Sequence, residues 1–450
     1  MVNRKIKPAP KGKIAFNLPQ IQTFTLSNFS KVYFVKKETL PIVQINISIP
    51  AGSIFEASNK NGMATLTSML VDEDAGKLNG FQISDKIEVL GSILNINSNK
   101  EFTTFSLLSL KENLEKSLDI LSLIILLPNF KESDFEREIN RLKTQIIQLN
   151  DDPSYIASME LQKIIYHSTP YMFPTQGTKQ SLDAILNDDI KNFYKKNYLP
   201  SDSFFSVVGN IESDEINSLL EKHFCKWKNN PTKKKKFNNT ISTGKQFVFL
   251  SKQDAAQSEI RIGHISKGRN SDDFFARSVL NSILGGQFSS RININLREDK
   301  GYTYGAHSSY NYNQLGSLFS VSTSVKTENT TDAITEILSE LQKIKSTITI
   351  DEIDFAKSYL IRRYPSLFET YTQVATNLSF LPIYNLDNNY FSDYIKNLSK
   401  VTMEDITLAA NSCIDLDNLV IVVVGNGSII KDSLKILAEE RDFIFSEFIL

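Results

Sequence analysis

A chain of 450 residues is too long for one ordinary domain and suits two to four. Its 41% hydrophobic and 22% charged residues are those of a soluble globular protein, and a net charge of −1 gives no bulk attraction for nucleic acid or anionic membrane. Two cysteines, Cys225 and Cys413, exclude a disulfide framework and are not spaced as metal ligands.

The N-terminal run MVNRKIKPAPKGKIAFNLP has the positive charges of a signal peptide without its apolar segment, and residues 1–20 are expected to form a flexible arm. Strand signals follow at Lys31 to Val35 and Val43 to Ile49, where valine and isoleucines alternate with polar residues until Pro50-Ala51-Gly52-Ser53 ends the run. Gly62 to Leu70 reads as a helix, and further strands are predicted at Ser92 to Asn97 and Thr103 to Leu108. The apolar run Leu118 to Leu127 is interrupted by Asp119 and Ser122 and reaches about half the length needed to cross a bilayer, which makes it part of a buried helix over Glu112 to Leu127. Ser133-Asp134-Phe135-Glu136 has the form of a capping box opening a longer helix, which Asp151-Asp152-Pro153 breaks. Another helix runs through Leu161 to Tyr166, and Phe204 to Val208 reads as a buried strand.

From Lys228 the chain turns polar (KNNPTKKKKFNNTISTG), which places a domain boundary at residues 229–245. Four consecutive lysines between two compact halves suit a solvated linker better than a nucleic-acid patch. The pattern then restarts at Phe247 to Leu250. Gly52 and Gly268, Ser133 and Thr349, and the runs Val207–Asn210 and Val423–Asn426 share one offset of 216 residues, which argues for a duplicated domain. The expected fold is α+β, with two homologous domains at 21–228 and 246–450. Each would be a mixed, mostly antiparallel sheet with helices on one face, and the two would form a half-clamshell.

The stretch from Gly285 to Tyr312 joins an arginine and a tyrosine, Arg297 and Tyr304, across a predicted helix stop. Ser289 or Ser290 suits an N-cap, the residues up to Lys300 read as a helix, Gly301 suits a left-handed C-terminal cap, and Tyr304 falls just inside the following strand. Both side chains donate hydrogen bonds and one is charged, a pair suited to an anionic or carbonyl oxygen. Spacing alone also allows a surface ion pair and a tyrosine half in the core. Elsewhere chemistry is sparse. His167, His223, His264 and His307 are dispersed, the Gly285-Gly286 pair is too short to argue nucleotide binding, and no phosphate loop or G-x-S-x-G elbow occurs.

Two stretches carry a family resemblance. Gly62 to Leu70 resembles the helix in which pitrilysin-like zinc peptidases, the inverted-zincin group that includes mitochondrial processing peptidase, carry H-x-x-E-H. Here Thr65 and Met69 stand for the histidines and Ser68 for the catalytic glutamate. The family draws a third ligand from a Leu-Glu-Glu-Ile run ahead of Asp-Asp-Pro, and this chain has Lys143-Thr144-Gln145-Ile146 in that frame. Asn295 to Ala306 (NLREDKGYTYGA), by contrast, is similar throughout to the segment with which the family's second domain or partner subunit supplies an arginine and a tyrosine. The resemblance covers roughly residues 20 to 440. It implies a non-catalytic subunit of a heterodimeric zinc metallopeptidase, inactive alone, that binds no metal. Arg297 and Tyr304 would bind substrate and stabilise the transition state in the partner's site. It further implies a homologous H-x-x-E-H partner holding the zinc, peptide or unfolded-protein substrates, and the periplasm, with the cytoplasm as alternative. A structural scaffold, or a peptide-binding pseudo-peptidase with no role in proteolysis, is the other function it allows.

Overall fold

The computed structural model describes residues 12, 16, 18–229 and 243–450. Most of the expected arm (1–20) and linker (229–245) therefore lies outside the described residues. The first half forms a six-stranded sheet from β1 (Gln22–Thr25), β2 (Lys31–Lys36), β3 (Ile42–Ile49), β4 (Ile93–Ser98), β5 (Thr103–Leu110) and β6 (Phe204–Gly209). Its order is β1-β2-β6-β3-β5-β4, antiparallel except where β2 runs parallel to β6.

The second half repeats this with β7 (Gln246–Ser251), β8 (Gln257–Ser266), β9 (Ala306–Asn313), β10 (Gly316–Lys326), β11 (Val420–Gly425) and β12 (Ile444–Ile449), in the order β9-β10-β8-β11-β7-β12. Strands β6 and β11 keep the 216-residue offset at both ends. One edge differs: β1 lies antiparallel on β2, whereas the C-terminal β12 fills the matching place parallel to β7.

Each sheet packs its own half's helices on one face around a separate core. The opposite face of each is covered by a helix from the other half. Helix α3 (Pro153–Ile165) sets Ala157, Leu161 and Ile165 against Val248, Leu250, Val420, Val422 and Val424 of the second sheet. In return α6 (Tyr371–Tyr384) sets Val374, Ala375, Leu378 and Leu381 against Val35 and Val208 of the first. This exchange explains the run VIVVVG in β11: Ile421 and Val423 enter their own core, alternate valines meet α3, and no position faces water. Polar contacts fix both crossings. The Arg261 guanidinium donates to Ser158 Oγ at 3.0 Å and Ser154 Oγ at 2.6 Å, while Ser206 and Ser379 hydroxyls meet at 3.1 Å. Buried Glu101 of the first half accepts from Tyr171 Oη at 2.5 Å and from the Gln314 amide of the second at 2.7 Å.

One of the two expected caps is absent. Thr349 caps α5 (Ile350–Arg363) in a capping box with Glu352, but Ser133 is not the matching cap. Helix α2 (Glu132–Leu149) begins before it, with Lys131 at the N-cap. Tertiary contacts draw the chain into the helix early: Lys131 is salt-bridged to Asp74, and Asn187 donates to Glu132 at 2.9 Å. The glycines at 52 and 268 also differ. A Cβ on Gly52 would lie 2.4 Å from the Lys100 and Glu101 backbone, whereas one on Gly268 would meet only the tip of Asn270 at 3.4 Å.

Candidate functional site

Helix α1 (Met63–Leu70) buries Met63, Ala64, Leu66 and Leu70, and Glu56 caps its start by accepting from the Gly62 and Ala64 amides at 3.0 and 2.6 Å. At the positions where the resemblance expects H-x-x-E-H, the side chains are engaged otherwise. Thr65 Oγ1 donates to the Thr175 carbonyl at 2.8 Å, Ser68 Oγ donates to the Thr65 carbonyl at 2.7 Å, and Met69 packs against the core. On α2, Lys143 pairs with Asp183 at 2.6 Å, Thr144 Oγ1 donates to the Asn140 carbonyl at 3.0 Å, and Ile146 is core. Three hydroxyls tied to carbonyls, a thioether and a lysine do not make a zinc donor set. Among the described residues, no group of three or more His, Cys, Asp or Glu is placed to hold a metal ion.

Carboxylates do gather just beyond α1. Burial, with Glu73 and Glu138 nearby, pushes the Asp72 carboxyl up to about 6 despite its backbone hydrogen bond. Its folded value lies above the unfolded one, so the folded state holds a proton that the unfolded state has released between roughly pH 4 and pH 6. Stability attributable to Asp72 therefore falls as pH rises through that window. Asp72→Asn is expected to raise stability at pH 7.5 by on the order of 1–2 kcal/mol and to change little at pH 4. Melting curves at the two pH values measure this, and a gain independent of pH would refute it.

The second-half segment is built differently. Helix α4 (Phe274–Leu284) ends at Gly285, whose carbonyl accepts from the Ser308 amide at 3.0 Å. The glycine pair makes that approach possible: a Cβ on Gly285 would fall 2.5 Å from Ser308 Oγ, and one on Gly286 would fall 2.7 Å from Asn281 Nδ2. The expected helix up to Lys300 is present only as an α-turn, Arg291–Asn293, with Ser290 at its N-cap and no side-chain cap bond. It continues as a π-helix, Ile294–Asp299, in which the Lys300 amide reaches back to the Asn295 carbonyl at 3.0 Å. Isolated π-turns of this kind recur at functional sites. Gly301 then takes a left-handed φ of 68°, as its place after the helix requires.

Arg297 lies on the π-turn. Its Cζ sits over the Phe288 ring, 4.4 Å from the centroid, and its Nε lies 3.5 Å from Glu298 Oε1. Tyr304 is not inside the strand, which begins at Ala306. It stands at the centre of a Ser/Thr turn in which Thr303 Oγ1 accepts from the Gly305 amide at 3.1 Å and donates to the Ser324 carbonyl at 2.7 Å. The Thr303 hydroxyl competes successfully with the β ladder, so strand pairing starts two residues later than the sequence suggests. The Tyr304 side chain is 93% exposed. No hydrogen bond joins Arg297 and Tyr304; the tyrosine stands out in solvent, while the Arg297 side chain is 35% exposed. Phe288, 64% exposed in the loop before the helix, was not singled out by the sequence pattern. A phenylalanine between Gly-Gly and Ser-Ser is the signal that could have marked it.

A fold of two similar sheet-and-helix halves, with α1 carrying hydrogen-bonded hydroxyls and a thioether and with an exposed tyrosine after a π-turn, is the class these features define. Comparison places it more closely. The model of the Insulinase (Peptidase family M16) domain matches residues 31–179, and that of the Peptidase M16 inactive domain matches residues 185–360. The chain belongs to peptidase family M16. It is 25% identical over 347 residues to the uncharacterized zinc protease YmxG of Bacillus subtilis, covering 76% of this chain and 82% of that protein. It is 21% identical over 398 residues to the non-peptidase homolog YmxG of Helicobacter pylori, covering 88% and 91%. The crystal structure of a peptidase M16 inactive domain from Pseudomonas fluorescens shares the fold, with a TM-score of 0.85 at 24% identity over 90% of this chain and 98% of that one.

Proposed function

We propose that this chain is the non-catalytic subunit of a heterodimeric zinc peptidase and completes the active site of a separate H-x-x-E-H subunit with Arg297 and Tyr304. The observation carrying this reading is the contrast within one chain. The side chains at Thr65 and Ser68 are bonded to carbonyls, while a tyrosine held at its turn projects fully into solvent seven residues after Arg297. A rigid aromatic with a free hydroxyl has no packing role in the isolated chain, and such residues anchor interfaces and substrates. The non-peptidase name of the Helicobacter relative and the inactive-domain match support the first half of the reading.

In the assembled enzyme the partner's zinc would polarise the scissile carbonyl and activate water. This chain's residues would do the rest from the facing side. Arg297 would hold a substrate carbonyl or carboxylate through charge-assisted hydrogen bonds, and Tyr304 Oη would donate to the oxygen on which negative charge develops. The substrates would be peptides or small unfolded proteins. Mixing the chain with a homologous H-x-x-E-H subunit is expected to give a 1:1 complex by light scattering, with one zinc per heterodimer, while the chain alone holds no stoichiometric zinc and cleaves no quenched peptide. Stoichiometric zinc with chelator-sensitive cleavage by the lone chain would refute the reading. So would independent elution of the two subunits at micromolar concentration.

A further inference from the structure

We propose that Phe288 and Asn293 are positioning residues that set the Arg297 guanidinium in fixed relation to the Tyr304 turn; this rests on the reading of Arg297 and Tyr304 given above. Arg297 has a long side chain whose rotamer freedom opposes any single placement. Its one ion pair among the described residues, to the adjacent Glu298 at 3.5 Å through Nε, is long and solvent-exposed and does little to hold it. The ring of Phe288, 4.4 Å from Cζ, supplies what is missing. A cation over an aromatic face is held without using any N–H, so the terminal nitrogens stay available to an incoming oxygen.

The ring must itself be held, because Phe288 lies in a loop and is mostly exposed. Asn293 does this. Its side chain is 3% exposed and is fully used: Nδ2 donates to the Phe288 carbonyl at 2.7 Å, and Oδ1 accepts from the Ala306 amide at 3.0 Å. One buried amide therefore ties the loop carrying the ring to the first residue of β9, two residues beyond Tyr304. Thr303 closes the other side through Thr323 Oγ1 at 3.0 Å and the Ser324 carbonyl. Arg297 and Tyr304, which share no hydrogen bond, are thus linked through Phe288, Asn293 and Ala306 as one braced unit. A buried asparagine satisfied at both ends specifies geometry as well as stability.

The test uses the heterodimer with an internally quenched peptide. Phe288→Leu is expected to raise KM about two- to fivefold with kcat nearly unchanged, and Phe288→Trp, which keeps an aromatic face, to restore it. In an Arg297→Ala background, Phe288→Leu should have no further effect, because its action passes through the guanidinium. Asn293→Asp keeps the acceptor for Ala306 and removes the donor to Phe288, and is expected to lower kcat/KM with the 1:1 assembly intact. In the free chain, the Arg297 Nε–H resonance should carry an aromatic ring shift that Phe288→Leu removes, a readout independent of any partner. Additive kinetic effects of Phe288→Leu and Arg297→Ala, failure of Phe288→Trp to restore KM, or an unchanged Arg297 resonance would overturn the positioning role while leaving the subunit reading standing. If Arg297→Ala and Tyr304→Phe both leave kcat/KM of the assembled complex unchanged, the site assignment falls and takes this one with it, whether or not the heterodimer forms.

Discussion

Replacing Tyr304 by Phe in the assembled peptidase is expected to lower kcat by about 10²–10³-fold, the loss typical when one donor to a developing oxyanion is removed. The substitution deletes a single hydroxyl. Because the ring is 93% exposed and its turn is held by Thr303, neither the fold nor the melting temperature of the free chain should change. Arg297→Ala should act mainly on KM if the guanidinium holds substrate before and during the chemistry alike, since uniform binding does not raise kcat. Both effects would appear in turnover by a subunit that contains neither residue, with zinc content and 1:1 assembly unaltered. Were the two side chains only surface features, kcat/KM per assembled complex would be unchanged in both variants, and that result would refute the site assignment.

The strands were legible because their periodicity is local: the apolar residues alternating from Val43 to Ile49 mark the side that enters the core, although Gln44, Asn46 and Ser48 on the other side are buried as well. The duplication was visible because β6 and β11 kept both length and register. Helices α3 and α6 were not recognisable as an exchanged pair. A helix was read only through Leu161 to Tyr166, none at α6, and nothing near Leu161 or Leu378 in sequence states that the partner face lies in the other half. The start of α2 was misplaced for the same reason: Ser133 satisfies a local rule, but Asp74 and Asn187 act through space on Lys131 and Glu132. At the candidate site, residue types and spacing were readable, and Gly301 behaves as its position dictates. The π-turn and the exposure of Tyr304 were not, since both depend on how Asn293 and Thr303 satisfy backbone groups brought together only by folding.

Separating the two halves should have the larger structural consequence. Residues 246–450 expressed alone would expose Val248, Leu250, Val420, Val422 and Val424 on one face of their sheet and leave the apolar side of α6 without Val35 and Val208. At roughly 1.5–3 kcal/mol for each fully buried aliphatic side chain, losing those five burials alone forfeits about 10 kcal/mol, which is comparable to the whole stability of an ordinary domain. Arg261 would lose Ser154 and Ser158, and Gln314 would lose its carboxylate acceptor Glu101. The isolated half is therefore expected to bind a hydrophobic dye, to lack a cooperative thermal transition and to aggregate. The same chain cut at a protease site inserted between residues 230 and 242 should instead remain one species on gel filtration, because the crossed helices and not the connecting peptide hold the halves together. Cooperative, reversible unfolding of residues 246–450 on their own would show that α3 covers a surface the second sheet does not need. Dissociation of the cut chain at micromolar concentration would show that the exchange is too weak to unite the halves.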